Sequence, residues 1–375
     1  MQLTSKRFQV AHALGGGWYD LTRSCLDDLS RALEGTNLGF VYVSKPLDRD
    51  LDSIIKELQT QTKIENWVGT VGFGICVSGQ ELFDLPAIAV MVGTLPEESF
   101  RIVPAITSDN MNLSSDLIAW SKAHNPTIGI VHADPRAGAV EETLRMLQDQ
   151  TGCFLVGGLS SSSGFCGQIA GGCVEGGVSG ILFGSEISAQ TALTQGCSPI
   201  GNMRFVTAAE GNIIQALDNR PAFDVFKEDI GDLLAHNLSR AQGYVHVALP
   251  VAGSDTGDYV VRNLLGVSPE EGSIAVGQYM TVGDRMMFVR RDGTSATSDL
   301  ERMAADLHRR RPKEVRAAFY FSCVARGPNL FGEGSRELKA IESVLGELPL
   351  VGFFANGEIS NNRLYGYTGV LTLIG

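Results

Sequence analysis

One pattern occurs three times along this chain of 375 residues. Each copy has an apolar strand, a polar loop, a helix, a second strand that ends near a Val-Gly pair, a glycine-rich turn and a further apolar strand. The three pairs are Val68-Gly69, Val156-Gly157 and Val351-Gly352. A repeated unit is first a scaffold, so function is expected in the loops that follow the strands, where the copies differ. Internal duplication is one interpretation, and the ordinary similarity of strand–helix–strand units in α/β proteins is the other.

The alternation of strands and helices predicts an α/β fold, with α+β as the alternative. The chain is longer than one ordinary domain, so two domains are expected. We place their boundary near Arg220, which gives one domain at 1–220 and a second at 221–375. Each is expected to be one of two similar halves, with a mixed β-sheet and helices packed outside. The pattern is also compatible with sheets that face each other.

Charge and hydropathy exclude several classes of partner. The net charge is -12 and the pI is about 5.0. An acidic surface repels phosphate groups, so neither a nucleic acid nor an anionic membrane surface is an expected partner. The N-terminal residues lack the apolar core of a signal peptide, and no later stretch has the ~20 apolar residues of a transmembrane helix. We therefore expect a cytoplasmic protein.

Cysteine and histidine are not arranged as metal ligands. The chain has seven cysteines, an odd number, without a C-x-x-C pair, and its six histidines are scattered. Reduced thiols and no metal site are therefore expected. The segment from Gly69 to Gly74 lacks the G-x-G-x-x-G order, and no G-x-x-x-x-G-K-[ST] motif occurs, so dinucleotide and nucleoside triphosphate binding are not supported. No cofactor is predicted.

Hydrophobic periodicity predicts the local structure. Helices are expected over Asp20–Leu33 and Asp48–Gln61, with a strand over Leu38–Val43 between them. Another helix is expected over Ala222–Leu238, after Pro221. Ser298 and Glu301 form a capping-box pattern that predicts the start of a further helix.

The loop after the first strand of the third copy is the most informative segment. FYFSCVARGPNLFG places Cys323 at a strand end, followed by Arg326, Gly327 and Asn329. A thiol at a strand end, beside an arginine and backbone N–H groups, is where a lowered pKa is expected. The segment is therefore either an anion-binding loop with a ligand-facing thiol, or a buried cysteine beside a surface arginine.

A second loop of the same copy is expected at the same edge of the sheet. Asn356-Gly357 is a tight-turn signal, and Glu358 follows it. Loops at strand ends commonly bind ligands in α/β proteins. Arg326 and Glu358 could then hold the carboxylate and the ammonium of a zwitterion. Alternatively, the two side chains pair with each other or cap the turn.

The second copy carries His132, Asp134 and Arg136 after one strand and a serine run, Ser160 to Ser163, after another. Histidine, aspartate and serine together raise the possibility of a hydrolase. The spacing G-x-S-x-G of a nucleophile elbow is absent, and serines at a strand-end turn more often bond the local backbone. We predict no catalytic residue here, and include Ser160, Ser161 and Ser162 among ligand-binding candidates.

The order of several segments resembles the FIST family (F-box and intracellular signal transduction domains). The segments are VGTVGFGI, LVGGLSSS, TQGCSPIG, VTAAEGNIIQALDNRPA, G-x-RMMFVRRDG, FSCVARG, VGFFANGEI and LYGYTGVL. The likeness covers roughly Leu33 to Leu373 and looks like a stand-alone pair of FIST N-terminal and FIST C-terminal domains. In the FSC-x-x-RG motif it matches Cys323, Arg326 and Gly327.

The resemblance implies a cytoplasmic sensory module that binds a small molecule such as an amino acid or a small carboxylate. Relatives are joined to signalling domains or to an F-box. This chain is expected to have no output domain, so a separate signalling protein would have to read it. Two other functions stay open: an adaptor that binds another protein, and an enzyme with Cys323 as nucleophile, which lacks an evident base.

Overall fold

The computed structural model describes residues 8–30, 33–162, 164–231, 244–251 and 259–375. The chain divides into two compact units. Unit 1 comprises Met1–Gln195, Thr297–Leu364 and Thr368–Gly375, and unit 2 comprises Gly196–Ala296 and Tyr365–Tyr367. Unit 1 contains three modules of the same topology, and unit 2 follows the first strand of the third module along the chain.

Module 1 spans residues 8–93 and has six strands and two α-helices, with a 3₁₀ helix at Lys45–Asp50. Its elements are β1 Gln9–Leu14, α1 Trp18–Leu29, β2 Leu38–Ser44, α2 Leu51–Thr62, β3 Asn66–Gly72, β4 Ile75–Val77, β5 Gln80–Leu82 and β6 Ala87–Gly93. The two helices predicted from periodicity are confirmed, with residues 31 and 32 outside the described ranges.

Module 2 spans residues 100–183 and repeats this order after a 3₁₀ helix at Glu97–Ser99. Its elements are β7 Phe100–Ile106, α3 Ser115–His124, β8 Ile128–Ala133, α4 Val140–Thr151, β9 Phe154–Leu159, β10 Gln168–Ala170, β11 Gly172–Val174 and β12 Val178–Phe183. The third module begins with β13 Ala189–Gln195.

Unit 2 is built around a closed ring of strands. Its elements are β14 Cys197–Pro199, β15 Arg204–Glu210, β16 Ile213–Leu217, β17 Arg220–Pro221, α5 Ala222–Ile230, β18 Val245–Pro250, β19 Tyr259–Ser268, β20 Ser273–Val276 and β21 Arg285–Arg291. The ring closes because β18 pairs with both β19 and β21. Phe226 of α5 packs on Phe288 in its core. The helix predicted after Pro221 is confirmed as far as Ile230, and its remainder lies outside the described residues.

Module 3 resumes after unit 2. Its remaining elements are α6 Gly293–Arg310, β22 Ala317–Cys323, α7 Pro328–Phe331, α8 Arg336–Leu345, β23 Leu350–Ala355, β24 Glu358–Ser360, β25 Arg363–Tyr365 and β26 Thr368–Ile374. The prediction that this helix starts at Ser298 was wrong. α6 begins earlier because the Asp292 carboxylate accepts hydrogen bonds from Thr294 N, at 3.1 Å, and Ser295 Oγ, at 2.5 Å.

The three sheets of unit 1 share one strand order, which includes a hairpin from another module. The orders are β1-β6-β2-β3-β10-β11, β7-β12-β8-β9-β24-β25 and β13-β26-β22-β23-β4-β5. Module 2 therefore gives its hairpin to module 1, module 3 gives its hairpin to module 2, and module 1 gives its hairpin to module 3. Each sheet contains one pair of adjacent parallel strands: β2 and β3, β8 and β9, or β22 and β23.

The inner faces of the three sheets enclose one apolar core, to which each module contributes side chains such as Phe40, Ile130 and Phe319. Helices α1 and α2 cover the outer face of the first sheet, and α3 and α4 cover that of the second. These mixed sheets with outer helices confirm the predicted α/β class. The carboxyl ends of the parallel strands, where ligands usually bind, lie at the edges where the hairpins cross between modules.

Candidate functional site

The predicted arginine lies in a buried polar cluster under α8. We call Tyr320, Ser322, Arg326, Glu337 and Glu81 the Arg326 cluster. Glu337 Oε1 accepts hydrogen bonds from Tyr320 Oη at 2.6 Å, Ser322 Oγ at 2.9 Å and Arg326 Nε at 2.7 Å. Arg326 and Glu337 are both fully buried. Of the two alternatives for this segment, the one with a surface arginine is therefore wrong for Arg326, because its positive charge is paired inside the protein.

Glu81 reaches this cluster from module 1. It lies in β5, which pairs into the third sheet, and its Oε1 accepts a hydrogen bond from Leu338 N at 3.1 Å, in the first turn of α8. Burial and the negative charge of Glu337 raise the pKa of Glu81 to about 7, although backbone N–H groups and Arg326 oppose the shift. Burial acts to lower the pKa of Arg326, but Glu337 and Tyr320 hold it above its usual value, so the guanidinium stays charged.

Glu358 lies one residue after the predicted turn and is fully buried. Its Oε2 accepts hydrogen bonds from Thr368 N at 3.1 Å and Thr368 Oγ1 at 2.7 Å, and the Cys323 thiol hydrogen-bonds the same carboxyl. Burial raises the pKa of Glu358 to about 8, although Thr368, Arg326 and Cys323 act to lower it. The carboxyl is therefore largely protonated at neutral pH.

The predicted serines bond neighbouring segments. Ser160 Oγ lies 2.6 Å from Thr70 Oγ1. Ser161 Oγ accepts from Phe73 N at 2.6 Å and donates to the carbonyl of Phe354. Ser162 Oγ donates to Asp48 Oδ2 at 2.6 Å. Ser163, the fourth serine of the run, lies outside the described residues. The three described hydroxyls thus join segments of all three modules.

The structure brings the serine segment beside the predicted turn. Leu159 N donates to Gly357 O at 2.8 Å, and Asn356 N donates to Leu159 O at 3.1 Å. Glu358 is paired with Gly158 in the β24–β9 register. Asn356 is exposed, whereas Gly357 is buried with a φ of 141°, a conformation that favours glycine. Sequence reasoning placed these segments apart in two copies, and the exchanged hairpin joins them.

The remaining predicted residues follow β22. Gly327 has a φ of 54° and donates its N–H to Glu337 Oε2 at 2.8 Å. Asn329 is exposed and donates Nδ2 to the carbonyl of Val324 at 3.3 Å. Only Asn329 and Asn356 among the ten candidates present an exposed side chain.

Three side chains of this region have buried polar atoms left over. Arg326 Nη1 and Glu81 Oε2 have no hydrogen-bond partner among the described residues, and Glu358 Oε1 accepts no N–H or O–H hydrogen bond from them. Buried polar atoms are nearly always paired, and an exception calls for water, an ion or a ligand. These atoms are the chemically available part of the candidate site.

The residues considered for a hydrolase do not form a triad. His132 lies in the inner core, with Nε2 at 3.2 Å from Tyr42 Oη, and burial lowers its pKa to about 3. Asp134 is bound by Arg136 through Nε at 3.0 Å and Nη2 at 2.9 Å. Burial acts to raise the pKa of Asp134, but the bonds from Arg136 hold it below its usual value.

Sequence reasoning missed Glu337, Tyr320 and Glu81. Glu337, at the second position of a helix, carries a detectable signal because carboxylates favour helix N-termini. Tyr320 reads as an ordinary apolar strand residue. Glu81 has no local signal, since it reaches Arg326 through a hairpin from another module.

All seven cysteines lie in the described ranges, where none of them forms a disulfide bond, and six of them are buried. Within the described ranges, no group of three or more histidine, cysteine, aspartate and glutamate side chains could hold a metal ion. In the same part of the chain, no helix is long and apolar enough to cross a membrane.

Similar proteins match between about half and most of the chain. The uncharacterized protein Mb0898c of Mycobacterium bovis is 34% identical over 189 residues, which are 48% of this chain and 49% of that protein. The same values hold for the uncharacterized protein MT0897 of Mycobacterium tuberculosis, so the match spans about half the length of these two relatives. The uncharacterized protein MT0656 of Mycobacterium tuberculosis is 29% identical over 347 residues, which are 85% of this chain and 86% of that protein.

Two family models match in sequence order. The FIST N domain matches residues 37–220, and the FIST C domain matches residues 222–361. These domains are associated with signal transduction and sensing. The chain belongs to the FIST family, with one FIST N domain and one FIST C domain.

Proposed function

We propose that this protein is a sensory module that binds a small molecule, either an amino acid or a small carboxylate, at the carboxyl ends of β22, β23 and β9. Arg326 holds the carboxylate of the ligand, and Glu358 holds the amine where the ligand has one. The turn at Asn356 and Gly357 and the serines Ser160 to Ser162 form the adjoining wall.

The observation that carries this proposal is that Arg326 Nη1 and Glu358 Oε1, in two fully buried side chains, accept or donate no N–H or O–H hydrogen bond within the part of the chain that the structure describes. Leaving a buried polar atom unsatisfied is costly, and a ligand that pairs with both atoms removes that cost. Both groups follow adjacent parallel strands, so they lie at one edge of the sheet.

Access to these groups requires the covering loops to move. The exposed Asn329 and Asn356 follow β22 and β23, and we propose that the ligand enters between their two loops. A change in these loops on binding is then the signal that a separate partner protein reads. We also propose that the protein is cytoplasmic and that the boundary between its two domains lies near Arg220.

Glu358 makes amine binding dependent on pH. With a pKa of about 8, its carboxyl is protonated in the unliganded protein at neutral pH. An ammonium group favours the carboxylate, so binding releases a proton. As the pH is raised toward 8, the affinity for an amine-bearing ligand should therefore increase by about tenfold per pH unit. Above pH 8 the affinity should level off.

The test is calorimetric titration of amino acids and small carboxylates into the purified protein at pH 6.5 and 8.5. Repeating each titration in buffers of different ionisation enthalpy counts the protons released. Glu358→Gln keeps an oxygen for Thr368 and should abolish both amine binding and proton release, whereas Glu347→Gln, at an exposed position, should change neither. Arg326→Ala is a poor first variant because it leaves Glu337 buried without its cation.

The alternative function is an adaptor, and exposed apolar side chains of unit 2 favour it. Tyr279 is 81% exposed, Val282 68% and Phe205 53%. Such side chains mark protein-binding surfaces when they are contiguous. If no ligand of the panel binds at either pH, the sensor proposal fails and the adaptor becomes the leading function.

A further inference from the structure

A cavity of about 360 Å³ opens at the carboxyl ends of β8 and β9 in module 2. Its volume is within the range of small-molecule sites, roughly 300–1,000 Å³. The lining residues come from the loop after β8, the first turns of α4, the end of β9 and the hairpin exchanged from module 3. They are Pro135, Ala137, Ala139, Val140, Glu141, Glu142, Arg145, Leu159 and Leu364.

The corresponding space in module 3 is filled by the Arg326 cluster. Gly157 pairs with Val131, and Gly352 with Tyr320, in equivalent parallel registers. Counting six residues onward from each strand partner puts Ala137 at the position of Arg326. Matching turns support this alignment, since Ala137 N donates to Asp134 O at 3.0 Å and Arg326 N to Cys323 O at 2.8 Å.

The two other parts of the cluster also have counterparts. Glu141 is the second residue of α4, as Glu337 is the second residue of α8, and both helices follow a left-handed residue, Ala139 or Ser335. Leu364 is the middle residue of the exchanged strand β25, as Glu81 is of β5.

Module 2 thus keeps the glutamate of the cluster but lacks its guanidinium. In module 3 the side chain of Arg326 occupies the space and binds Glu337. In module 2 alanine replaces that arginine, and leucine replaces the second carboxyl. The result is an open cavity lined by apolar side chains such as Leu159 and Leu364 and by the charged side chains of Glu141, Glu142 and Arg145.

We propose that this cavity binds a small organic cation, with a planar guanidinium or amidinium group on an apolar body. The cation takes the place of the Arg326 guanidinium and binds Glu141, and the apolar body packs on Leu159 and Leu364. Charge supports this choice, because the lining carries two glutamates and one arginine. The Arg145 guanidinium donates Nε to the carbonyl of Glu141 at 3.2 Å, so part of its hydrogen-bonding capacity is used within α4.

Benzamidine, benzamide and benzoate test the proposal because they share one ring and differ in charge. Each would be titrated into the intact protein at low ionic strength and followed by calorimetry and melting temperature. Benzamidine should bind and raise the melting temperature, and neither benzamide nor benzoate should do so. Equal binding of all three, or preference for benzoate, would overturn the charge assignment. No benzamidine binding would overturn the site.

Three variants locate the binding. Glu141→Gln, at an exposed position, should weaken benzamidine binding by about tenfold or more, as expected for loss of a charge-assisted hydrogen bond. Ala137→Arg places in module 2 the side chain that module 3 carries, and it should block binding. Asp149→Asn is the control, because it removes the same charge from an exposed position of α4 that does not line the cavity. Unchanged affinity in both Glu141→Gln and Ala137→Arg would contradict the proposed location.

Discussion

At the scale of single residues, His132 shows how one position diverges among the modules. Tyr42, His132 and Phe321 occupy equivalent strand positions, each one residue after the partner of a Val-Gly glycine. Their rings meet in the inner core, with centroids 5.5 Å apart for Tyr42 and His132 and 6.2 Å apart for His132 and Phe321. Only the histidine of this trio is a base that gains a charge when the solution is acidified.

His132→Phe is predicted to reduce the acid sensitivity of the fold. Burial lowers the pKa of His132 from 6.5 to about 3, so the unfolded chain binds a proton that the folded protein excludes. The free energy of unfolding therefore decreases by about 1.4 kcal/mol for each unit by which the pH falls below 6.5. Between pH 6.5 and 5 the wild type should lose about 2 kcal/mol more than the variant in denaturant titrations.

The variant should also lose about 1 kcal/mol at pH 7, because the hydroxyl of Tyr42 no longer has its partner. His308→Gln, at an exposed position, is the matched control and should lose as much stability per pH unit as the wild type does. If His132→Phe loses as much stability per pH unit as the wild type, the His132 ring is not the group that titrates.

Residues that lie close together in the sequence could be identified from a local motif, whereas contacts between distant residues could not. The motif FSCVARG identified Cys323 and Arg326 as residues at a strand end, and the structure places them there. It did not identify their neighbours. Glu81 and Leu338 are joined by a hydrogen bond across 257 positions, and no local pattern encodes such a contact.

At the scale of elements, the Val-Gly pairs have a steric cause. A Cβ at Gly69, Gly157 or Gly352 would lie 1.8 Å from a carbonyl oxygen of the neighbouring parallel strand. Real atoms do not approach so closely, so only glycine permits the parallel pairing at these points. The sequence signature therefore marks the same close approach of two backbones in all three modules.

Gly157→Ala is accordingly predicted to destabilise the protein by at least about 2 kcal/mol, because β8 and β9 must separate or shift. Gly157 also has a φ of 148°, which adds backbone strain to any side chain. Gly172→Ala in the same module is the control, since a Cβ added at this position would meet no atom within 4 Å. Denaturant midpoints for the two variants measure the difference, and similar midpoints would refute the steric explanation.

Periodicity predicted helices α1 and α2 and the strand β2 between them, but it did not predict which strands pair. Strands β3 and β4 are separated by only two residues, yet they belong to different sheets. Local sequence fixes apolar spacing and turns, whereas the choice of pairing partner depends on the packing of all three modules. The helix that begins at Gly293 instead of Ser298 has another cause: Asp292 supplies the cap, and the capping-box pattern at Ser298 lies inside the helix.

At the scale of the whole molecule, the exchanged hairpins make the modules of unit 1 depend on one another. Hairpin β24–β25 completes the sheet of module 2, and hairpin β4–β5 completes the sheet of module 3. Strand β13 pairs along its length with β26, the last strand of the chain. The apolar core between the sheets also draws side chains from all three modules. Unit 1 is therefore expected to fold as one cooperative unit.

The two stretches matched by the family models should consequently not fold alone. A fragment of residues 1–220 lacks the strands that pair with β9, β4 and β13, and a fragment of residues 221–375 lacks the strands that pair with β23, β24 and β26. Each fragment would leave strand edges unpaired and the shared core open, which favours aggregation over a native fold. Circular dichroism melts should show a cooperative transition for the intact chain and none for either fragment. Mixing the two fragments should restore a transition, because all the pairing strands are then present. A cooperative melt of residues 1–220 alone would show that the hairpin exchange is dispensable and that the first two modules suffice for a core.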